Sequence, residues 1–331
     1  MNIPCLLLLG MFAACQAPAP RTHLVIVAGI GGTPEHSQSF TLLGFQLADS
    51  ARDRYGMDPA YIHYFAEDPD RNRERIRGRS TREQIEGCLH GLAEEAGPED
   101  RILIVLIGHG SFDEEEAKFN LPGPDLSAPE FALLLDSFGS RPLALVNCAS
   151  SSGPFIEALS RPGRIIVTAT RSGRERNETV FARFFVEALA GEGADLDKDR
   201  RVSLLEAFQY ARRLTSDHYE QSKEILTEHA LLDDNGDGEG SADVDLERGD
   251  GLLARSFFLE ADPEAAVAER AGASPELTAL YQRRREIQNR IEVHRARKNE
   301  LDPETYMGER ERLLLELATI NREIRKLGGG E

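Results

Sequence analysis

Two reactive residues stand at the ends of apolar runs. Arg101 to Ile107 leads into Gly108-His109-Gly110, and Pro142 to Val146 leads into Asn147-Cys148-Ala149-Ser150-Ser151-Ser152-Gly153. A thiolate attacks an amide carbonyl, and an imidazole near its unperturbed pKa can take the thiol proton and pass it to the leaving amine. The developing oxyanion needs donors fixed in advance; the backbone N–H groups of Gly110 and of the nucleophile are the candidates. His109 with Cys148 or Ser150 is therefore a candidate dyad for acyl transfer.

Two acidic stretches carry a different chemistry. Asp195, Asp197 and Asp199 occupy positions one, three and five of a twelve-residue loop, with the Arg201 carbonyl at seven, Ser203 at nine and Glu206 closing at twelve. Hard oxygen donors at this spacing suit Ca2+. Arg200 stands where such loops need glycine for the sharp turn. Downstream, Asp233, Asn235 and Asp237 hold positions one, three and five and Gly238 the glycine position six, but position twelve is Val244, so Asp243 or Asp245 must substitute. The histidines are scattered and no Cys/His cluster has zinc spacing.

Elements that could position these residues alternate along the chain. Strands are expected at 23–28, 61–65, 102–107, 143–146 and 164–169, with helices at 40–55, 81–96, 128–138, 154–159, 181–189 and 203–219. Short β-rich runs alternating with helices mean βαβ units, hence a mainly parallel sheet covered on both faces. In such sheets ligands bind beyond the carboxyl ends of the strands, where His109 and the 147–153 turn fall. Ser256-Phe257-Phe258-Leu259 reads as a further edge strand, and the Pro/Gly-containing insertion 111–126 as a rim loop or hairpin beside the cleft. Gly29-x-Gly31-Gly32 lacks the third spaced glycine of a dinucleotide fingerprint, and only Glu67 stands near the expected acidic position.

From Pro275 the composition changes. Leu277, Leu280, Ile287, Ile291 and His294 form one stripe, and Leu313, Leu317, Ile320, Ile324 and Leu327 another, separated by a break around Asp302-Pro303. This predicts an antiparallel helical hairpin. It buries little alone, so it docks on its own body, on a partner or on a second copy.

The net charge of -18 over 331 residues argues against nucleic acid or an anionic membrane surface as partner. Between Glu276 and Leu327, 12 Lys/Arg stand against 10 Asp/Glu, so the acid excess belongs to the main body. At the amino terminus, Cys5 to Ala14 is an apolar stretch too short to span a bilayer, and it reads as an export signal. Phe12-Ala13-Ala14-Cys15 resembles a bacterial lipobox, which implies an exported cell-envelope protein anchored by lipid on Cys15, or otherwise a secreted or periplasmic one. Cys88 and Cys148 do not make a disulfide framework, and Cys88 reads as a small buried hydrophobe on a helix. The chain divides into a leader and tether (1–20), an α/β domain (21–262), and a linker with the hairpin (263–331).

The order strand–His-Gly–polar insertion–strand–Cys, with Ser152-Gly153-Pro154-Phe155 opening a helix and Thr168-Ala169-Thr170-Arg171-Ser172-Gly173 after the fifth strand, resembles the caspase-like fold. The likeness is to the legumain-type cysteine peptidases and their bacterial relatives, and it covers about residues 23–259. It implies a three-layer α/β/α sandwich, His109 as the catalytic histidine and Gly110 in the oxyanion hole. It also implies a specificity pocket around the first strand's end and the loops near the nucleophile, with Arg171 or His36 as basic groups. Cleavage after acidic residues or asparagine follows from the same likeness. The family's nucleophile begins a Cys-x-Ser-Gly sequence, and counting back from Gly153 reaches Ser150, not Cys148. A two-residue displacement along a strand moves a side chain about 7 Å. Three readings stay open: a cysteine endopeptidase through His109 and Cys148, a hydrolase using Ser150, and an inactive pseudopeptidase acting as an envelope binding or scaffold module.

Overall fold

A computed structural model describes residues 20–198, 201–244, 249–259, 274–296 and 302–327. Its centre is a sheet of seven strands: β1 (Thr22–Ala28), β2 (Ile62–Ala66), β3 (Gly78–Arg79), β4 (Arg101–Ile107), β8 (Leu143–Asn147), β9 (Arg164–Thr168) and β10 (Leu231–Asp233). They lie in the order β10-β9-β8-β4-β1-β2-β3. Every pairing is parallel except that of β10 with β9. The fold is thus the expected three-layer α/β/α sandwich with a mainly parallel sheet.

Apolar residues point to both sides because both sides are covered. In β4, Leu103, Val105 and Ile107 join one core with helices α1 (Pro34–Asp53), α5 (Phe181–Ala190) and α6 (Leu204–Ser222). Ile102, Ile104 and Leu106 join the other with α2 (Arg82–Glu95), α3 (Ala128–Asp136) and α4 (Phe155–Leu159). Close approach of α1 to the sheet depends on Gly44, since a Cβ there would lie 2.4 Å from the Tyr64 ring. The Tyr64 hydroxyl donates to the Thr41 carbonyl at 2.9 Å, which satisfies a buried group at that contact.

Three features of the elements matter for the site. Helix α1 begins at Pro34, with Thr33 accepting from the His36 N–H at 3.3 Å, so His36 belongs to its first turn. The 111–126 insertion is a small antiparallel sheet of β5 (Gly110–Phe112), β6 (Ala117–Phe119) and β7 (Leu126–Ser127). The Ser256–Leu259 edge strand is not formed: a short helix α7 (Leu252–Ser256) ends there, and Phe258 makes one isolated bridge with Ser203. Phe257, Phe258 and Leu259 are nonetheless buried, so apolar packing explains their composition without a ladder.

The carboxyl end is the expected hairpin of α8 (Pro275–Ala296) and α9 (Pro303–Leu327). Ile287, Leu313, Ile320 and Ile324 form its small core, with Leu277, Leu280, Ile291 and Leu317 packed against it. His294 stacks on Tyr306 at 4.7 Å and hydrogen-bonds the Tyr306 carbonyl at 2.8 Å, whereas Leu327 at the stripe's end is exposed. Helix α8 lies against α7 of the main body. No helix among the described residues is long and apolar enough to cross a membrane. The leader and Cys15 lie outside the described residues.

Candidate active site

His109 follows β4 and reaches the strand-end surface half-buried. Its backbone carbonyl accepts from Asn120 N at 3.0 Å, fixing the turn into β5. Its Nε2 lies 3.2 Å from His36 Nδ1, and His36 Nε2 lies 3.0 Å from Glu178 Oε2. Phe40 packs edge-on against the His109 ring, 5.0 Å between centroids. Burial pushes the His109 pKa down and the neighbouring His36 adds to that; Glu178 and a hydrogen bond with the Gly31 backbone act in the opposite sense. The ring is thus held between Gly31 and a His36–Glu178 relay. Nothing in the spacing of 36, 109 and 178 announced that relay, because the first turn of α1 and two separate loops bring it together.

Cys148 does not reach His109. Leu106 pairs with Asn147 in the β4–β8 ladder, and Cys148 N still donates to Leu106 O at 2.9 Å. Cys148 therefore sits one step further along, beside Ile107, two residues short of the level of His109. Its side chain is fully buried in the core under α1 and α5. Burial, reinforced by the charge of Glu228, drives its pKa far above that of a free thiol. The bulge that would have lifted this sulfur to the histidine is absent, and a protonated core thiol is inert as a nucleophile. Cys88, the helical cysteine, is half-buried, and burial raises it to about 11.

Ser150 occupies the place opposite Gly110. Its Oγ accepts from Gly110 N at 3.2 Å and donates to Gly110 O at 3.1 Å. The fit is tight: a Cβ on Gly110 would stand 2.2 Å from the Ser150 carbonyl oxygen. The Gly110 N–H, expected to face an oxyanion, is thereby occupied by a hydroxyl. Among the described residues, His109 makes no hydrogen bond to Cys148 or Ser150.

Other contacts lock the same turn. Ser151 takes the left-handed conformation, φ 55°, and its N–H donates to Glu175 O at 2.8 Å. Ser152 Oγ lies 3.1 Å from Thr170 Oγ1, which also accepts from Gly153 N at 3.0 Å. Glu175 in turn holds His229, Nδ1 to Oε1 at 2.6 Å, and Arg171 at 3.1 Å. Arg171, a nominated specificity group, is thus partnered but well exposed. The other nominee, His36, belongs to the relay. Glu67 braces the first loop, where its Oε2 accepts from Gly31 N at 3.1 Å and from Ser37 Oγ at 2.5 Å.

Two clefts open near the strand ends. One of about 780 Å³ lies beyond β1–β3, lined by Thr33, Ser37, Glu67, Asp70, Arg71 and Arg79 among others. The second, about 440 Å³, lies between the β5 hairpin and the 153–174 loops, with Phe112, Glu114, Pro154, Arg171, Gly173 and Arg174 on its walls.

Away from the strand ends, Asp195, Asp197 and Glu206 offer carboxylate oxygens within 4.8 Å of one another. Glu206 Oε1 accepts from Leu196 N at 2.9 Å and Asp197 N at 3.3 Å, while Oε2 caps α6 with Ser203. Ser203 is a helix cap, and the Arg201 guanidinium stacks 3.5 Å from the Phe258 ring. Asp199 falls outside the described residues. In the second loop Asn235 and Asp237 are tied to each other, Asn235 Nδ2 donating to Asp237 Oδ2 at 2.9 Å. Of the proposed closing residues, Asp243 is exposed and paired with Arg212 at 2.9 Å, and Asp245 lies outside the described residues.

Neither a protein-family model nor a curated protein matches this chain. Among solved structures, protein GSU0716 from Geobacter sulfurreducens is similar at 10% identity and a TM-score of 0.41, over 64% of this chain and 92% of that one.

Proposed function

We propose that this protein is a catalytically inactive relative of the caspase-like peptidases that binds a peptide or protein segment at its strand ends. One observation carries the reading: the position facing Gly110 holds Ser150, whose hydroxyl both donates to and accepts from the Gly110 backbone. A serine nucleophile needs a base on its proton, and His109 is turned instead to Gly31 and His36. The thiol that would have been activated more easily is sealed in the core. The cleft of about 440 Å³ beside this turn offers apolar Phe112 and Pro154 with Arg171 and Arg174, whose pairs with Glu175 and Glu114 an extended peptide carrying acidic groups would exchange for its own.

The test is labelling of the full chain with a peptide acyloxymethyl ketone, with and without calcium. The expected result is no adduct on Cys148 and no peptide turnover sensitive to His109→Ala. An adduct on Cys148 that His109→Ala abolishes overturns the reading in favour of a cysteine endopeptidase; turnover lost in Ser150→Ala and His109→Ala alike favours the serine hydrolase. For binding, an immobilised library of acidic peptides should be retained by the native chain and released by the double substitution Arg171→Glu, Arg174→Glu.

The convergence of Asp195, Asp197 and Glu206 supports a calcium ion held by those residues, which would brace the entry to α6. Calcium should then raise the melting temperature through mass action, and Asp197→Ala should remove that part of the shift. In the same reading the leader brings the module to the cell envelope with Cys15 acylated, detectable as fatty-acid labelling in cells that Cys15→Ser abolishes.

A further inference from the structure

The segment from β10 to α7 places three carboxylates in the interior: Asp233, Asp234 and Asp250 are each at most 3% exposed. Two of them exchange backbone contacts. Asp234 Oδ1 accepts from Gly251 N at 2.7 Å and its Oδ2 from Ala254 N at 2.8 Å, so both its oxygens are engaged in holding the start of α7. Asp250 Oδ1 accepts from Asp234 N at 3.0 Å and Asn235 N at 3.3 Å. Asp233 Oδ1 accepts from Gly236 N at 3.1 Å. Two oxygens remain. Asp233 Oδ2 and Asp250 Oδ2 are buried and have no hydrogen-bond partner.

An ionised carboxylate oxygen shut away from water without a partner is strongly disfavoured, and at Asp233 the charge of Asp250 adds to the penalty. Among the described residues no Lys, Arg or His forms an ion pair with Asp233, Asp234 or Asp250; the nearby Arg212 is given to Asp243. Burial raises the pKa of Asp233, with Ser160 and the Gly236 N–H opposing and the charge of Asp250 reinforcing; Asp250 acts on Asp234 in the same sense. The loop is also fixed before any ligand arrives. Gly236 and Gly238 take φ of 82° and 80°, Gly238 N donates to Ser160 Oγ at 3.0 Å, and a Cβ on Gly236 would strike the backbone of Arg161 and Pro162.

We infer that a divalent cation, calcium by its chemistry, binds between Asp233 and Asp250, closing this loop from outside its twelve-residue register. Oxygen-only donors exclude the nitrogen and sulfur sets that zinc prefers. Hard carboxylate donors on a turn of fixed path, rather than a preset octahedron, suit Ca2+ better than Mg2+. Asn235 and Asp237 satisfy each other at the surface and are not needed as ligands. The site is separate from the Asp195–Asp197–Glu206 cluster and independent of whether the strand ends are catalytic.

The full chain, stripped with a chelator and titrated with calcium chloride, tests this by hydrogen–deuterium exchange of its backbone amides. Calcium should slow exchange across 231–254, magnesium at the same concentration should do so far less, and Asp250→Asn should weaken the calcium effect there at least tenfold. Asp197→Ala should leave the 231–254 response intact. Protection confined to 195–206, or none in wild-type protein, overturns the inference, and so does Asp250→Asn behaving as wild type. Should Asp250→Asn fail to fold, Asp233→Asn carries the same expectation and the wild-type exchange map remains decisive.

Discussion

The turn after β8 and the turn after β10 both bury polar groups, and they satisfy them in opposite ways. In the first, residues 147–153, polar groups are paired within the chain: Asn147 Oδ1 accepts from Ala149 N, Ser150 closes on Gly110, and Ser152 closes on Thr170. Only the Ser151 hydroxyl is left buried without a partner there. In the second, residues 233–250, two carboxylate oxygens have nothing to accept from. A neutral hydroxyl can satisfy itself against one peptide group, donating and accepting at once; a carboxylate accepts only, and a charge cannot be buried so cheaply. The turn that resembles an enzyme's is therefore complete as it stands, whereas the acidic turn leaves two buried carboxylate oxygens without a donor, which is the ground for the cation inferred there.

The largest effect should come from prying the first turn apart. Gly110→Ala places a methyl group 2.2 Å from a backbone oxygen, not from a movable side chain. Overpacking against main chain should cost about 3 kcal/mol or more of stability in denaturant unfolding. A variant within about 0.5 kcal/mol of wild type would show that the Ser150–Gly110 closure is loose, and with it the case against a free oxyanion hole.

Beside the first turn lies a further buried carboxylate, and its environment favours the protonated form. Glu228 accepts from Val180 N and Phe181 N and faces Cys148, Tyr219 and Glu175. Burial raises it from 4.5 to about 7, the backbone and Tyr219 hydrogen bonds opposing and Glu175 reinforcing. A raised folded-state pKa means that the native state binds more protons than the unfolded one. Its stability is then fully present below about pH 4.5 and is lost as pH rises through about 7. The size is roughly 3 kcal/mol by the conversion of pKa to free energy. Glu228→Gln should flatten that slope in unfolding experiments, with calcium leaving it unchanged; a slope that persists in the variant assigns it elsewhere.

The sequence made the strands and the hairpin legible because their apolar periods are long. It did not show β10, since Leu231-Leu232-Asp233 is too short for a period, and it offered Ser256–Leu259 instead because buried packing and strand pairing select the same residues. At the strand ends, the distance from Cys148 to the Ser-Gly step was readable as a problem, and the ladder shows its consequence. Glu178, Glu175 and His229 were invisible because loops far apart in sequence deliver them. Asp250 was missed for a sharper reason: a twelve-residue template looks for its closing carboxylate at a fixed spacing, and Asp250 lies beyond it.

A smaller effect separates core from catalysis. Cys148→Ala removes one buried sulfur from a site that collapses little, and should cost about 1 kcal/mol of stability. Peptide retention should be unchanged. In native protein, an aromatic disulfide reagent should modify Cys148 only at the rate of global unfolding, and Cys88 sooner because it is less buried. Rapid modification of Cys148 in the folded state would break the contrast between the two turns.

The smallest effect concerns the relay, and its readout is titration rather than stability. The carboxylate of Glu178 is about half exposed, so its ion pair with His36 is screened, and Glu178→Gln should change unfolding free energy by less than about 0.5 kcal/mol. Its influence on His109 has a definite sign all the same. Burial and His36 push the His109 pKa down while Glu178 pushes it up, so removing that charge should lower it further. Ring-proton chemical shifts followed against pH measure this directly. If His109 were wired as a base to Ser150, its titration would follow Ser150→Ala and hardly notice Glu178. If it is held by Gly31 and the relay, the reverse holds, since His36 and Glu178 are the charges that shift its ring and Ser150 is bonded to Gly110 instead.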